Sequence, residues 1–292
     1  MNKLKTFLLA ALLTFSTSGA ALAADVSMGA WRASGSEVWR TSFPLYHKET
    51  NSYSEGASEL IYPHSGTYML VGYETPIKAR QKLRIEGGLM GSLNNAVGSD
   101  SDWDYGNSNM LWYYGEFKAG GNSGFINIDI VKSLSKSTEY FYGYGYRINH
   151  FRMTDGLYLI DKYKYEPYAL DNLDSYYTTI YQGPHVGVNS QTSLSSKLSV
   201  IGTVSYSPIA IARGHGWWNL RNLDFKHQAP AKMFDADIGL RLKPDANSAI
   251  TIGYRFQHLN IYKGWENLSS AITWEKATNV QKGFYITGMK TF

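Results

Sequence analysis

The sequence predicts an all-β chain that closes into a ten-stranded antiparallel transmembrane β-barrel. Three observations predict it. Apolar and polar residues alternate with a period of two in one segment after another. Short and long connections between these segments alternate strictly along the chain. Aromatic residues make up 15% of the chain, with 23 Tyr and 8 Trp, while the mean hydropathy is only −0.30. Strands that are apolar on one face, with aromatic girdles at both interfaces, produce that combination.

The elements follow in order. Residues 1–23 read as a secretory signal peptide: Lys3 and Lys5, an apolar stretch from Phe7 to Phe15, then the small-x-small pattern Ala21-Leu22-Ala23. That apolar stretch is too short to span a bilayer as a helix, which takes about 20 residues. Residues 24–292 then form one barrel domain. In "KLRIEGGLMG", Leu83, Ile85 and Leu89 oppose Arg84, Glu86 and Met90. In "GFINIDIVK", Ile126, Ile128 and Ile130 alternate with Asn127 and Asp129. In "KLSVIGTVSY", Leu198, Val200, Val204 and Tyr206 oppose Ser199, Thr203 and Ser205. In "KMFDADIGLRLKPD", Phe234, Ala236, Ile238, Leu240 and Leu242 oppose Asp235, Asp237, Arg241 and Lys243. In "SAITIGYRFQHL", Ile250, Ile252, Tyr254 and Phe256 oppose Thr251, Arg255 and Gln257. The chain ends on "GFYITGMKTF", with Phe284, Ile286 and Phe292 on one parity.

A soluble sandwich would show the same alternation, and connection lengths separate the two. Short turns stand at 74–80, 133–137, 191–197 and 243–248, and long polar, aromatic-rich connections near 38–56, 93–122, 154–179, 208–232 and 263–277. Four short and five long connections make ten strands with both termini on one side. The expectation is a bacterial outer-membrane barrel, loops extracellular and termini periplasmic. Ten strands filled by inward charged side chains leave little lumen, which disfavours a channel.

Composition narrows function. The 28 Lys and Arg against 24 Asp and Glu give +4, and leaving out Lys3 and Lys5 makes it 26 against 24. Near-neutrality offers nucleic acid nothing to bind. There are no cysteines, so neither disulfides nor thiolate chemistry enter. There is also no Cys/His metal pattern, no G-x-S-x-G and no phosphate loop. No metal or soluble cofactor is expected.

One stretch carries chemistry. "AVGSDSDWDYG" (96–106) holds Asp100, Asp102 and Asp104 around Trp103. On its own it reads as a solvated loop or an adventitious cation site. Placed after the third strand, Asp100-Ser101-Asp102-Trp103 resembles the Asp-x-Asp-Trp element of the omptins, the ten-stranded outer-membrane proteases of Gram-negative bacteria. "SELIYP" (58–63), "YQGPHVGV" (181–188), "LKPD" (242–245) and the terminal "GMKTF" resemble further omptin segments, in order.

The resemblance implies an aspartic-type endopeptidase that cleaves beside basic residues. Asp100 and Asp102 position a water, and an Asp-x-His after the seventh strand supplies the base. Two carboxylates at i and i+2 on a strand point the same way, and their repulsion raises at least one pKa. Asp104 is expected to be solvated. The second half of the motif is altered. "SPIAIARGHGWWNLRNLDFKHQAPAK" (207–232) contains no Asp-x-His; His215 is the nearest candidate base, with Arg213 where the orienting Asp would stand. Asp224 and His227 form Asp-x-x-His, whose side chains point to opposite faces of an extended strand. Three readings stay open: His215 as base with a carboxylate from elsewhere, a different chemistry built on the two Asp, or a degenerate barrel that binds or adheres without cleaving. Trp103, Trp217 and Trp218 are candidate substrate-stacking residues, against an aromatic-rim reading. Omptins also use a Tyr-x-Glu-x-Arg strand for lipid A. "GYRINHFR" keeps Tyr146, has Ile148 for the Glu, and offers His150 and Arg152. The implied partners are a polypeptide substrate or surface ligand and outer-membrane lipid, with lipopolysaccharide as activating lipid, and the barrel is expected to be a monomer.

Overall fold

The computed structural model describes residues 24–105 and 110–292. The segment expected to be a signal peptide, 1–23, and Gly106 lie outside them. The strands are β1 (Asp25–His47), β2 (Ser52–Pro63), β3 (Gly66–Lys78), β4 (Gln81–Met90), β5 (Ala96–Asp104), β6 (Met110–Ser133), β7 (Thr138–Asp161), β8 (Tyr168–Ser193), β9 (Leu198–Trp218), β10 (Leu223–Asp245), β11 (Ser248–Ile261), β12 (Gly264–Glu266) and β13 (Thr273–Thr291). Among the described residues, the helical piece is a 3-10 turn, Asn219–Arg221.

Pairing closes a ring of ten: β1, β3, β4, β6, β7, β8, β9, β10, β11 and β13, with β13 back on β1, all antiparallel. The three extra strands continue ring members past short breaks. β2 runs into β3, β4 into β5, and β11 into β12, so that β2 and β5 fill the wall between β1 and β6 at the end away from the termini. That end is the mouth; the end carrying the termini is the base. Closure leaves no unpaired edge in the ring of described strands.

The four turns at the base stand where the sequence places them. The connections at the mouth do not: most of each expected loop is strand. The 24-residue β7 measures roughly 80 Å along its contour, whereas about 9–11 residues span the hydrocarbon. The wall therefore rises far beyond the membrane. Up there the outer face meets solvent instead of lipid and the inner face mixes buried aromatic and polar side chains, so the hydropathy alternation fades while the hydrogen-bonded ladder continues. The sixth barrel strand accordingly begins at Tyr168, well before "YQGPHVGV".

The outer wall of the base half is apolar and exposed, through Met28, Met69, Ile128, Val186, Val204, Ile238, Ile252, Phe284 and Ile286, with Tyr140, Tyr142 and Tyr144 in a row on β7. Higher up, the outer face carries Arg32, Lys118, Arg152, Arg213 and Lys226. The inside is layered. Near the base, Lys82 binds Glu74 and Glu139, Arg84 binds Asp129, Asp129 also accepts from His185, and Arg255 binds Glu86. These groups line a cavity of about 620 Å³. Above it, the buried Glu37 accepts hydrogen bonds from Asn149 (2.9 Å) and Asn279 (2.8 Å). Above that, Trp39, Tyr62, Phe117, Phe151, Tyr177, Phe225 and Trp274 pack across the lumen. Burying such rings contributes a few kcal/mol each relative to Ala, and here it closes the bore.

Candidate functional site

The acidic stretch is a strand. β5 is held on one side by β2 and on the other by β6: Asp100 lies opposite Leu60 and Gly115, Asp102 opposite Ser58 and Tyr113, and Asp104 opposite Gly56 and Met110. The β2–β5 ladder is regular, so Asp100, Asp102 and Asp104 share one face. That face is the inner one, because Leu60 and Tyr62 on the same parity of β2 belong to the buried core. Trp103 points outward and stacks on Tyr105 (ring centroids 6.4 Å, interplanar 5°).

Asp100 is 9% exposed, and its Oδ1 has no hydrogen-bond partner among the described residues. Burial raises its pKa well above the ordinary carboxylate range, and the charge of Asp102 raises it further; Arg221 acts in the opposite sense. Burial also raises Asp102, against a hydrogen bond from Ser58 and the charge of Arg221. The pair as a whole therefore holds a proton more readily than ordinary carboxylates. Arg221, in the 3-10 turn between β9 and β10, acts on the pair through its charge. Asn219 fixes that turn: its side chain accepts from the Asp174 amide (2.9 Å) and the Ser175 hydroxyl (2.8 Å) and donates to the Asn172 carbonyl (2.7 Å). Asn222 closes it in the left-handed region (φ 52°). Tyr158 and Tyr113, rings 5.7 Å apart, complete the surroundings; burial first, then nearby carboxylates, raise both phenols.

His215 does not face this pair. It lies on β9 rather than in a loop. Its neighbours Gly214 and Gly216 face inward, where an added Cβ would strike Tyr177 and Phe225. His215 therefore points out. Its ring is 41% exposed, its Nε2 is 2.7 Å from Asp224 Oδ1, and it rests on Tyr176. The expected dyad is thus turned to the outside of the wall by strand parity. Trp217 shares that outer parity, and Trp218 packs against the core. Asp224 and His227 do fall on opposite faces. His227 is buried inside, its Nε2 2.6 Å from Glu266 Oε2 and its Nδ1 2.8 Å from the Tyr177 hydroxyl. Burial pushes its pKa down, against the pull of Glu266. Neutral His227 donates Nε2–H to Glu266 and accepts from Tyr177, which closes both nitrogens to a substrate.

Asp104 was expected to be solvated and is 1% exposed. It accepts from the Ser54 hydroxyl (2.7 Å), and His47 Nε2 lies 3.4 Å from its Oδ2. Three residues absent from the sequence reading, Arg221, Ser54 and His47, thus belong to the mouth. Tyr146, His150 and Arg152 share the outer face of β7. His150 Nδ1 is 2.8 Å from Thr178 Oγ1, and Arg152 is held by both oxygens of Asp174 (2.7 and 3.0 Å). Among the described residues, no group of three or more His, Asp or Glu side chains is placed to hold a metal ion.

Residues 138–281 match the family model described as "Pom: Protochlamydia outer membrane protein". No curated protein matches the chain by sequence. Among solved structures, the outer membrane protease OmpT from Escherichia coli is similar over 92% of this chain and 97% of its own, with a TM-score of 0.74 and 12% identity. The fold is the OmpT fold. The toluene transporter TbuX of Ralstonia pickettii aligns over 94% of this chain and 90% of its own at 8% identity, with a TM-score of 0.34, too low to indicate a shared architecture. The family match and the OmpT-like barrel fit an outer-membrane β-barrel protein.

Proposed function

We propose that this barrel is an omptin-like surface endopeptidase of aspartic type, exported by the signal peptide 1–23, with the mouth extracellular and the termini periplasmic. The observation that carries the reading is the Asp100–Asp102 pair, inward-facing, raised in pKa and set beside Arg221. At neutral pH such a pair holds a proton more readily than ordinary carboxylates do. One carboxyl of the pair keeps it and can protonate a departing amine; its ionised partner orients the attacking water and accepts its proton. Arg221 supplies positive charge for the oxyanion that develops on the scissile carbonyl. The negative inner wall favours bonds next to basic residues. Tyr146, His150 and Arg152 on the outer wall are proposed contacts for lipopolysaccharide, and the barrel is proposed to act as a monomer.

The outward turn of His215 favours one second reading: a barrel that kept the fold, lost the dyad and binds polypeptide without cleaving it. Incubating refolded barrel and lipopolysaccharide with a dibasic peptide, and identifying product termini by mass spectrometry, separates the two. Cleavage lost in Asp102→Asn is expected. Equal cleavage by Asp102→Asn would count against the assigned site, and intact peptide that still binds would favour the second reading.

A further inference from the structure

The mouth is divided by chemistry. Its carboxylates stand on the inner face of β5, and next to them, across β6, β7 and β8, the inner face carries tyrosines. Tyr113 lies directly opposite Asp102 in the β5–β6 ladder, so the two side chains share that face. Gly115 lies directly opposite Asp100, and a Cβ there would come within 2.6 Å of the Tyr158 ring. The glycine makes room for Tyr158 to cover the inner face beside Asp100. Tyr168 is directly opposite Tyr158 in the β7–β8 ladder. Ring centroids are 5.7 Å apart for Tyr113 and Tyr158 and 5.5 Å for Tyr158 and Tyr168. One aromatic wall thus runs from the carboxylate pair to β8, with Tyr158 buried and Tyr113 and Tyr168 half-buried. Positive charge accompanies it. Burial raises all three phenols, and the charge of Arg221 opposes that rise in each. At the rim, Lys164 Nζ sits 3.3 Å from the Tyr168 ring centre and Lys162 Nζ 3.6 Å from that of Trp112. Asp161 accepts from the Tyr168 hydroxyl (2.8 Å) and the Tyr163 amide (2.9 Å).

We infer that Tyr113, Tyr158 and Tyr168 form the subsite for a substrate residue adjoining the scissile bond, and that this subsite selects an aromatic side chain. The inference rests on the endopeptidase reading and narrows its substrate class. The carboxylates of β5 take a single basic residue, and the tyrosine wall takes an aromatic one on the other side of the bond. Ring faces and edges offer stacked and edge-to-face contacts to a flat apolar group. A lone cation would also be drawn to them, but Arg221, Lys162 and Lys164 already place three positive charges along the wall, and like charges brought together cost binding. A second basic residue is therefore disfavoured. An acidic residue gains little: the ring faces carry the negative part of the quadrupole, Arg221 is shared with the carboxylate pair, and the two lysines are seated on rings. Dibasic peptides are turned over, more slowly than peptides that join a basic to an aromatic residue.

The test uses the full barrel, refolded with lipopolysaccharide, and quenched fluorogenic peptides of one sequence with a single arginine beside a residue X. X is Phe, Ala, Lys or Glu, in the orders X-Arg and Arg-X, and mass spectrometry of the products confirms the bond cut. In one of the two orders kcat/KM is expected to be at least about 10-fold higher for Phe than for Lys. Heat-modified electrophoretic mobility of each variant reports that it folded. Tyr168→Ala is expected to lower the Phe-to-Ala ratio several-fold, and Tyr168→Phe, which keeps the ring, to retain it. Lys162→Glu/Lys164→Glu is expected to raise the Lys peptide relative to the Phe peptide. A Phe peptide no better than Lys or Glu in either order, or a Phe-to-Ala ratio that folded Tyr168→Ala leaves unchanged, overturns the subsite while the endopeptidase reading stands. If wild type cleaves none of the peptides faster than Asp100→Asn/Asp102→Asn does, the endopeptidase reading falls. Fluorescence anisotropy with the same peptides, singly labelled, then decides the subsite: Phe is expected to bind at least about five-fold tighter than Lys, and equal binding overturns it.

Discussion

Replacing Glu266 tests how the bore is closed. Glu266 ends the three-residue strand β12, and its Oε2 is the partner of His227 Nε2 at 2.6 Å. Glu266→Ala leaves a buried N–H with no acceptor, while Tyr177 still satisfies Nδ1. For a neutral donor that costs about 1–3 kcal/mol. Glu266→Gln keeps an acceptor and loses only the charge assistance, about 1 kcal/mol. Were His227 protonated, the pair would be a buried salt bridge and Glu266→Ala would cost about 3–5 kcal/mol. The pH dependence separates the cases. Burial holds the folded pKa of His227 below its unfolded value of 6.5, so its contribution is fully present above about 6.5 and is lost as pH falls through that region. Glu266 pulls the His227 pKa up, so removing it deepens the acid loss, and the gap to wild type widens as pH drops from about 7 toward about 5. The assay is equilibrium urea unfolding in micelles, read by tryptophan fluorescence. Trp274 stacks on His227 at 4.9 Å and Trp39 lies at 5.5 Å, so both report the layer. A loss under about 0.5 kcal/mol, or a gap that narrows toward acid, would refute the reasoning.

Other outcomes follow from the same geometry. Asp100→Asn should gain stability relative to wild type as pH rises above about 4, because a carboxylate whose folded pKa is raised stabilises the protein only while protonated; parallel unfolding curves across pH check this. Ile238→Lys places a charge on the exposed apolar band and should cost about 2–4 kcal/mol near the bilayer midplane in lipid vesicles, with a smaller loss for Lys at Ile201, which lies on the inner cavity lining. Arg221→Ala should raise the Asp102 pKa further, since Arg221 holds it down, and carbon-13 carboxyl shifts measured against pH would show the upward movement.

Much of the barrel was legible because its base half obeys one rule. Ile238, Leu240 and Leu242 face lipid and Asp235, Asp237 and Arg241 face the lumen, so a period of two is written directly in the residues. The upper wall hides its strands. Around Asp100 and around His215 both faces are polar or aromatic, and only the backbone ladder, invisible in composition, shows that these are strands. The acidic run did carry a signal in its spacing: Asp100, Asp102 and Asp104 recur at i, i+2 and i+4, one face of a strand, and that parity would have included Asp104 in the site. The same parity argument applied to Gly214-His215-Gly216 would have flagged an outward His215, once the glycines were seen as making room for Tyr177 and Phe225. His47 and Arg221 had no such mark. They lie 57 and 121 positions of chain from the acidic strand; the β1–β2–β5 pairing brings His47 to it, and the barrel brings Arg221 from across the mouth.

The most direct measurement compares three barrels, wild type, Asp102→Asn and His215→Ala, refolded side by side with lipopolysaccharide, on one dibasic fluorogenic peptide. A hydrolytic centre on the inner wall predicts turnover by wild type, turnover within two-fold of it by His215→Ala, whose ring faces outward, and at least a hundred-fold loss in Asp102→Asn. Turnover that survives in Asp102→Asn and vanishes in His215→Ala would contradict the account and move the chemistry to the outside of the wall.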